Sequence, residues 1–214
     1  LFATGCRGSY LGLFAIILTL VGISAKFFWN DYKKLYMSVV GGAVALGTLL
    51  ILAKASLRAR ILSIFAMRTD SSNSFRFNVY HSCIDMFKDN WLLGIGLGNQ
   101  NFREIYGLYM KTGFDALSAY NIYLETAVES GIFALLAFLA FLGLALYTAF
   151  EHIKYSNDTK SLIFTTVAVA SIIGLMVHGF VDTVFFRPQI HFIFWTMVAI
   201  ISVETRPSKF SINK

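Results

Sequence analysis

Five apolar stretches, each separated from the next by charged or polar residues, set the rhythm of this chain. They run from about Gly8 to Ala25, Leu35 to Ala53, Ser130 to Phe150, Ser161 to Val181 and Pro188 to Val203. A helix needs roughly 20 apolar residues to cross a hydrocarbon core about 30 Å thick, so each stretch reads as a span, the last one short. One short connector carries Lys26, Asp31, Lys33 and Lys34; another carries Glu151, His152, Lys154, Asp158 and Lys160; a polar tail follows from Glu204 to Lys214. The pattern predicts an all-α, polytopic transmembrane helix bundle of about five spans, with residues 1–214 forming a single membrane domain.

One interval breaks the rhythm. Residues 54–117 form a polar segment too long for a simple turn. Within it, Ser74 to Asp89 repeats at about 100° per residue, which predicts an amphipathic helix lying along the membrane surface or covering the bundle. Ser74, Asn78, His81, Ser82, Asp85, Lys88 and Asp89 share one face; Phe75, Val79, Tyr80, Cys83, Met86 and Phe87 share the other. Arg76 falls near the middle of the apolar face. A desolvated guanidinium needs a partner, so it either points inward to a functional site or snorkels outward from the helix end. Glycines then alternate in Gly94-Ile95-Gly96-Leu97-Gly98-Asn99, which allows a tight bend and close approach to a ligand or a neighbouring helix. A phosphate loop is excluded, because no strand precedes the segment and no Lys-Ser/Thr pair ends it.

Composition strengthens the membrane reading. The chain is 57% hydrophobic, holds 21 Phe and is only 14% charged, with a mean hydropathy of +0.65. Soluble domains carry about 25% charged residues, and one soluble core of this length cannot hide so much apolar side chain. The sequence opens on Leu1 without a signal-peptide layout, so it is expected to be the C-terminal part of a longer protein. The net charge of +6 is scattered over the loops, not gathered with aromatics as nucleic-acid binding requires. Eight Lys and Arg lie in the short connectors and tail and eight in the long loop, so the positive-inside rule does not orient the bundle. Cys6 and Cys83 lack metal or redox spacing and read as small buried hydrophobes.

The candidate chemistry gathers around the long loop. Ser118, Asn121, Glu125 and Glu129 fall on one stripe of a helix read from Ser118 to Phe150, roughly 50 Å long. Its first turns must therefore project beyond the hydrocarbon, and the carboxylates there suit a base, a cation or pairing with loop arginines. Arg7 precedes the first span, and Asp182 and Arg187 flank the turn between the last two. If the spans alternate, these groups meet at one membrane face, where several guanidinium groups suit phosphate, diphosphate or bicarbonate. His178 stands four residues before Asp182, within side-chain reach. Neither it nor His191 has a second ligand at metal spacing, and packing or a helix-end hydrogen bond is the role expected of both. No Ser-His-Asp order, HExxH or Walker pattern occurs, so neither a metal nor a cofactor is expected.

Four segments together resemble the O-antigen ligase and polymerase superfamily. Thr4-Gly5-Cys6-Arg7-Gly8-Ser9-Tyr10-Leu11-Gly12 resembles its Ser-Arg-Gly entry to a span, with Cys6 where Ser is usual. Arg76, Tyr80, Met86, Asn90 and the glycine turn resemble its long extracytoplasmic loop. Asn121-Ile122-Tyr123-Leu124-Glu125, continuing to Glu129-Ser130-Gly131, resembles its His-Asn motif, and Gly179-Phe180-Val181-Asp182 with Arg187-Pro188 resembles its closing hairpin. The resemblance implies a multi-pass protein of the bacterial inner membrane with loop 54–117 extracytoplasmic. It also implies that Arg7, Arg76 and Arg187 bind an anion or a diphosphate, with Tyr120, Asn121, Glu125 and Glu129 as catalytic candidates. Tyr120 occupies the histidine position, and a phenol with pKa near 10 is a poor base at neutral pH.

Asp115 to Tyr120 and Val181 to Pro188 look closest to the IctB family, proteins described as bicarbonate transporters. The main functional expectation is therefore inorganic-carbon transport or accumulation. The alternative is a glycosyltransferase acting on a polyprenyl-diphosphate-linked glycan, and a third is a scaffold without a reaction. The partners implied are the lipid bilayer, one of those two ligands and other membrane subunits, with no nucleic acid.

Overall fold

A computed structural model describes residues 6–55, 58–59 and 71–206, with only the backbone of Arg7. Thr4, Gly5, Arg60, the tail beyond Arg206 and the Arg7 side chain lie outside the described residues. Among the described residues the secondary structure is helical: α1 (Arg7–Ala53), α2 (Ser71–Asp89), α3 (Asn99–Tyr109), α4 (Ile122–Tyr155), α5 (Thr159–His178) and α6 (Pro188–Glu204), with a 3-10 turn at Val184–Phe186. The all-α expectation holds. α1, α4 and α5 are each long and apolar enough to cross a membrane, and α6 is a shorter apolar helix.

The first two expected spans lie in the single 47-residue α1, divided at Tyr32, whose φ of −128° and ψ of 27° are not helical. The two arms turn toward each other. The rings of Phe28 and Tyr36 stack at 6.3 Å, and the Tyr36 hydroxyl donates to the Val21 carbonyl oxygen at 2.5 Å. In a straight helix Val21 and Tyr36 would stand roughly 22 Å apart along the axis. The bend falls in the polar connector. Beyond it the second arm exposes Leu35, Val39, Val44, Leu46, Leu49 and Leu52, a face suited to acyl chains or other membrane helices.

The bundle core joins α1, α4, α5 and α6 through Ile23, Ile122, Leu142, Val169, Ile172 and Phe194. The first arm of α1 lies very close to α5. A Cβ on Gly12 would stand 2.9 Å from the Gly174 carbonyl oxygen, and one on Gly8 would stand 2.6 Å from the His178 ring. Small residues spaced by four let membrane helices approach backbone to backbone. At the other end of the bundle the Lys26 ammonium donates to the carbonyl oxygens of Ile153 and Lys154 at 2.5 and 2.6 Å. That cation satisfies orphan carbonyls at the C-terminus of α4.

The long loop builds a second core of its own. Val79, Cys83 and Met86 of α2 meet Phe102 and Tyr106 of α3, together with Ala116, Ala119 and Val128. The expected amphipathic helix is α2, begun slightly earlier at Ser71; Ser82, expected on the wet face, is buried. It lies beside Val79 and Cys83, at the edge where the two faces meet.

α4 starts at Ile122 and not at Ser118. Tyr120 has a φ of +50°, which no helix permits, and Asn121 caps the helix by accepting from the amides of Tyr123 and Leu124. A second departure lies at Gly131, whose φ of 78° and ψ of −179° interrupt α4. The glycine turn docks on this break. Ile95 and Gly96 donate their amides to the carbonyl oxygens of Val128 and Glu129 at 2.9 and 3.0 Å, while Ile132 donates to Trp91 at 2.8 Å. A Cβ on Gly94 would collide with the Glu129 backbone, and one on Gly131 with the Leu92 backbone. Of the alternating glycines it is Gly94 whose backbone approaches the neighbouring helix this closely.

Candidate functional site

The starts of α1 and α4, the end of α5 and the first turns of α2 converge on one end of the bundle. The end of α5 is the anchor. Ile122 donates its amide to the Gly179 carbonyl at 2.8 Å, and the Asn121 side chain donates to the Phe180 carbonyl at 3.1 Å. The Tyr80 hydroxyl spans the carbonyl oxygens of Tyr120 and Phe180 at 3.1 and 3.2 Å. The sequence motifs around Arg76, Asn121 and Asp182 are thus brought together in space.

His178 and Asp182 meet as expected, Nε2 to Oδ2 at 3.8 Å. The Thr183 amide also donates to the Asp182 carboxylate at 2.8 Å. Contact with His178 is the main influence on Asp182; with the Thr183 amide and the nearby Arg76 charge, it outweighs burial and holds the carboxyl below its usual range. Arg76 is half-buried and donates to Ser72 Oγ at 3.1 Å. Its Nε is fully buried and has no hydrogen-bond partner among the described residues. An unsatisfied buried donor costs about 1–3 kcal/mol.

The other candidates take different places. Asn121 serves as helix cap and as tie to α5. Glu125 is buried and accepts from the Ala119 amide at 3.1 Å. Glu129 is buried and accepts from the Gly98 amide at 3.3 Å. Both carboxylates hold loop backbone. Tyr120 is half-buried, its ring set edge-on to Phe75 with centroids 5.8 Å apart. Arg187 is exposed at the entry to α6. His191 packs edge-on against Phe185 with centroids 4.7 Å apart, the packing role expected of it.

Cys83 is fully buried as expected, and burial pushes its thiol up to about 12. Cys6 departs from expectation. Half-buried, it sets Sγ 3.6 Å from His178 Nε2 and 3.9 Å from Asp182 Oδ2. Burial raises this thiol, but hydrogen bonds with Ser9 and His178 outweigh it and leave Cys6 below its ordinary pKa. With Cys6 and His178 separated by 172 positions, spacing gave no signal of the contact. The close crossing of α1 on α5 did have a signal, the Gly8-to-Gly12 interval.

Over residues 1–139 the chain matches the family described as O-antigen ligase. The teichuronic acid biosynthesis protein TuaE of Bacillus subtilis (strain 168) is 23% identical over 206 residues, covering 92% of this chain and 41% of that protein. The chain therefore spans about two fifths of the length of this relative. These likenesses lend no support to the bicarbonate expectation or to closeness with the IctB branch. They agree with the superfamily reading of the motifs and with a multi-pass membrane bundle. On a match over residues 1–139 of 214, the chain belongs to the O-antigen ligase family.

Proposed function

We propose that this chain is part of a membrane glycosyltransferase that moves a glycan from a polyprenyl-diphosphate carrier during assembly of a surface polysaccharide. The observation that carries this reading is the buried, unpartnered Nε of Arg76 beside Asp182, in a chain of the O-antigen ligase family. A diphosphate would supply acceptor oxygens to this guanidinium once the groups covering Nε move aside, and guanidinium binds phosphate bidentately. Arg7 and Arg187 belong to the same anion-binding set in this proposal, as entries to the first and last helices. Glu125, fixed on the amide next to Tyr120, is the proposed acceptor base, since a phenol serves poorly at neutral pH. Asn121 and Glu129 are positioning residues that hold the site's backbone. The bilayer is that of the bacterial plasma membrane, and loop 54–117 faces away from the cytoplasm.

The test is a strain deleted for the full-length gene and complemented with variants, scored for surface polysaccharide on gels and for lipid-linked donor. The deletion is expected to lose polymer and accumulate donor. Losing a charge-assisted hydrogen bond costs about 1.5–3 kcal/mol, so Arg76→Ala should cut transfer roughly 10- to 100-fold. Unchanged banding and no stored donor in the deletion strain, with bicarbonate uptake lost, would overturn the reading in favour of inorganic-carbon transport.

A further inference from the structure

The contact of Cys6, His178 and Asp182 gathers a sulfur, a nitrogen and an oxygen at one point between α1 and the end of α5. A relay that activates a thiol places the thiol on one imidazole nitrogen and the carboxylate on the other. Here Sγ and Oδ2 both approach Nε2, at 3.6 and 3.8 Å, and lie 3.9 Å from each other. Three lone-pair atoms thus surround one small space. The thiol proton is donated to Oδ2; once it is lost, Sγ, Nε2 and Oδ2 are all able to act as ligands.

We propose that Cys6, His178 and Asp182 form a three-ligand site for a thiophilic divalent cation of the Zn²⁺ type. Zinc–ligand bonds of about 2.3 Å to sulfur and about 2.0–2.1 Å to nitrogen and oxygen place tetrahedral ligands roughly 3.4–3.6 Å apart. The observed separations exceed that by a few tenths of an ångström at most, within the play of the side chains. Thiolate, neutral imidazole and carboxylate together offset the charge of a divalent ion, so the neighbouring Arg76 does not oppose binding. A cleft of ≈ 300 Å³ between α1 and α5, lined by Ser9, Gly12, Gly174 and His178 among others, adjoins the site. It leaves room for water in the fourth position, as in zinc sites with three protein ligands. Chemically, the ion would clip the entrance of α1 to the end of α5 and the turn that follows. The proposal does not depend on glycan transfer.

The experiment uses the full-length protein in detergent, free of any histidine tag. It is equilibrated with Zn²⁺, passed through gel filtration and analysed for metal; a parallel sample takes Co²⁺ and is scanned for thiolate-to-cobalt absorption. Wild type is expected to hold one zinc per chain and to show the thiolate band, which Cys83→Ser retains. Loss even of an outer-shell partner costs 10–100-fold in affinity, so Cys6→Ser and Asp182→Asn should weaken binding by roughly that or more. Only Cys6→Ser should abolish the cobalt band. Wild type without stoichiometric zinc, or with equal affinity in Cys6→Ser, overturns the site. Should Cys6→Ser fail to fold, the wild-type spectrum decides alone, and a missing thiolate band overturns the proposal.

Discussion

Gly8 and Gly12 lie one helical turn apart on α1, opposite Gly174 and His178 one turn apart on α5. At Gly12 and Gly174 the crossing leaves no space for a side chain larger than hydrogen. Gly12→Leu should therefore lower stability by at least the roughly 1–3 kcal/mol of an overpacked core, read as an earlier unfolding transition in detergent. The same substitution at Gly41, where a Cβ meets nothing within 4 Å, should leave the transition nearly in place. Arg76 was legible at this scale, because a guanidinium on an apolar face demands an explanation. Glu125 and Glu129 were legible as buried carboxylates near the loop, but their partners were not. Their bonds run to the amides of Ala119 and Gly98, and the sequence presents every amide alike.

Apolar periodicity located α2, α4, α5 and α6 to within a turn or two, because burial of one face dictates where such helices can lie. It did not reveal α3, whose buried residues reduce to Phe102 and Tyr106, one i, i+4 pair within a polar run. Nor did it reveal the break at Gly131, since a glycine inside an apolar stretch costs a helix only about 1 kcal/mol and seldom stops it. The break exists because the turn after α2 supplies the bonds that α4 gives up. Gly131→Ala tests this account: its Cβ would collide with the Leu92 backbone, and its φ of 78° suits alanine badly. The cost should be about 1–3 kcal/mol for the strained backbone alone. Limited proteolysis should then cut between Trp91 and Gly98 before it cuts the helices, and equal cleavage of both would contradict the account.

The whole molecule is two packed units, a membrane bundle and a loop unit, each with its own core. One hydroxyl does much to align them: Tyr80 on α2 reaches the backbone of both α4's lead-in and α5's end. Each such bond contributes about 0.5–1.5 kcal/mol net. The one hydroxyl hydrogen is shared between the two carbonyls, so Tyr80→Phe should destabilise the protein by roughly 0.5–1.5 kcal/mol and reduce the proposed transfer, while the loop core keeps its protection in hydrogen exchange. Transfer at the wild-type level would mean that this alignment is dispensable. The sequence reads as a single membrane domain with a long polar interval, and a separate core within that interval was not legible because its docking relies on main-chain atoms.

The splice between the glycine turn and α4 also restricts how the loop unit can move. Withdrawing it would strip bonds from Val128, Glu129 and Ile132 at once, at about 1–3 kcal/mol for each backbone group left dry. That end of the unit is a fixed hinge and not a flap. Any opening of the loop unit over the bundle must therefore come from its other parts, while the stretch from Trp91 to Gly96 stays fastened to α4.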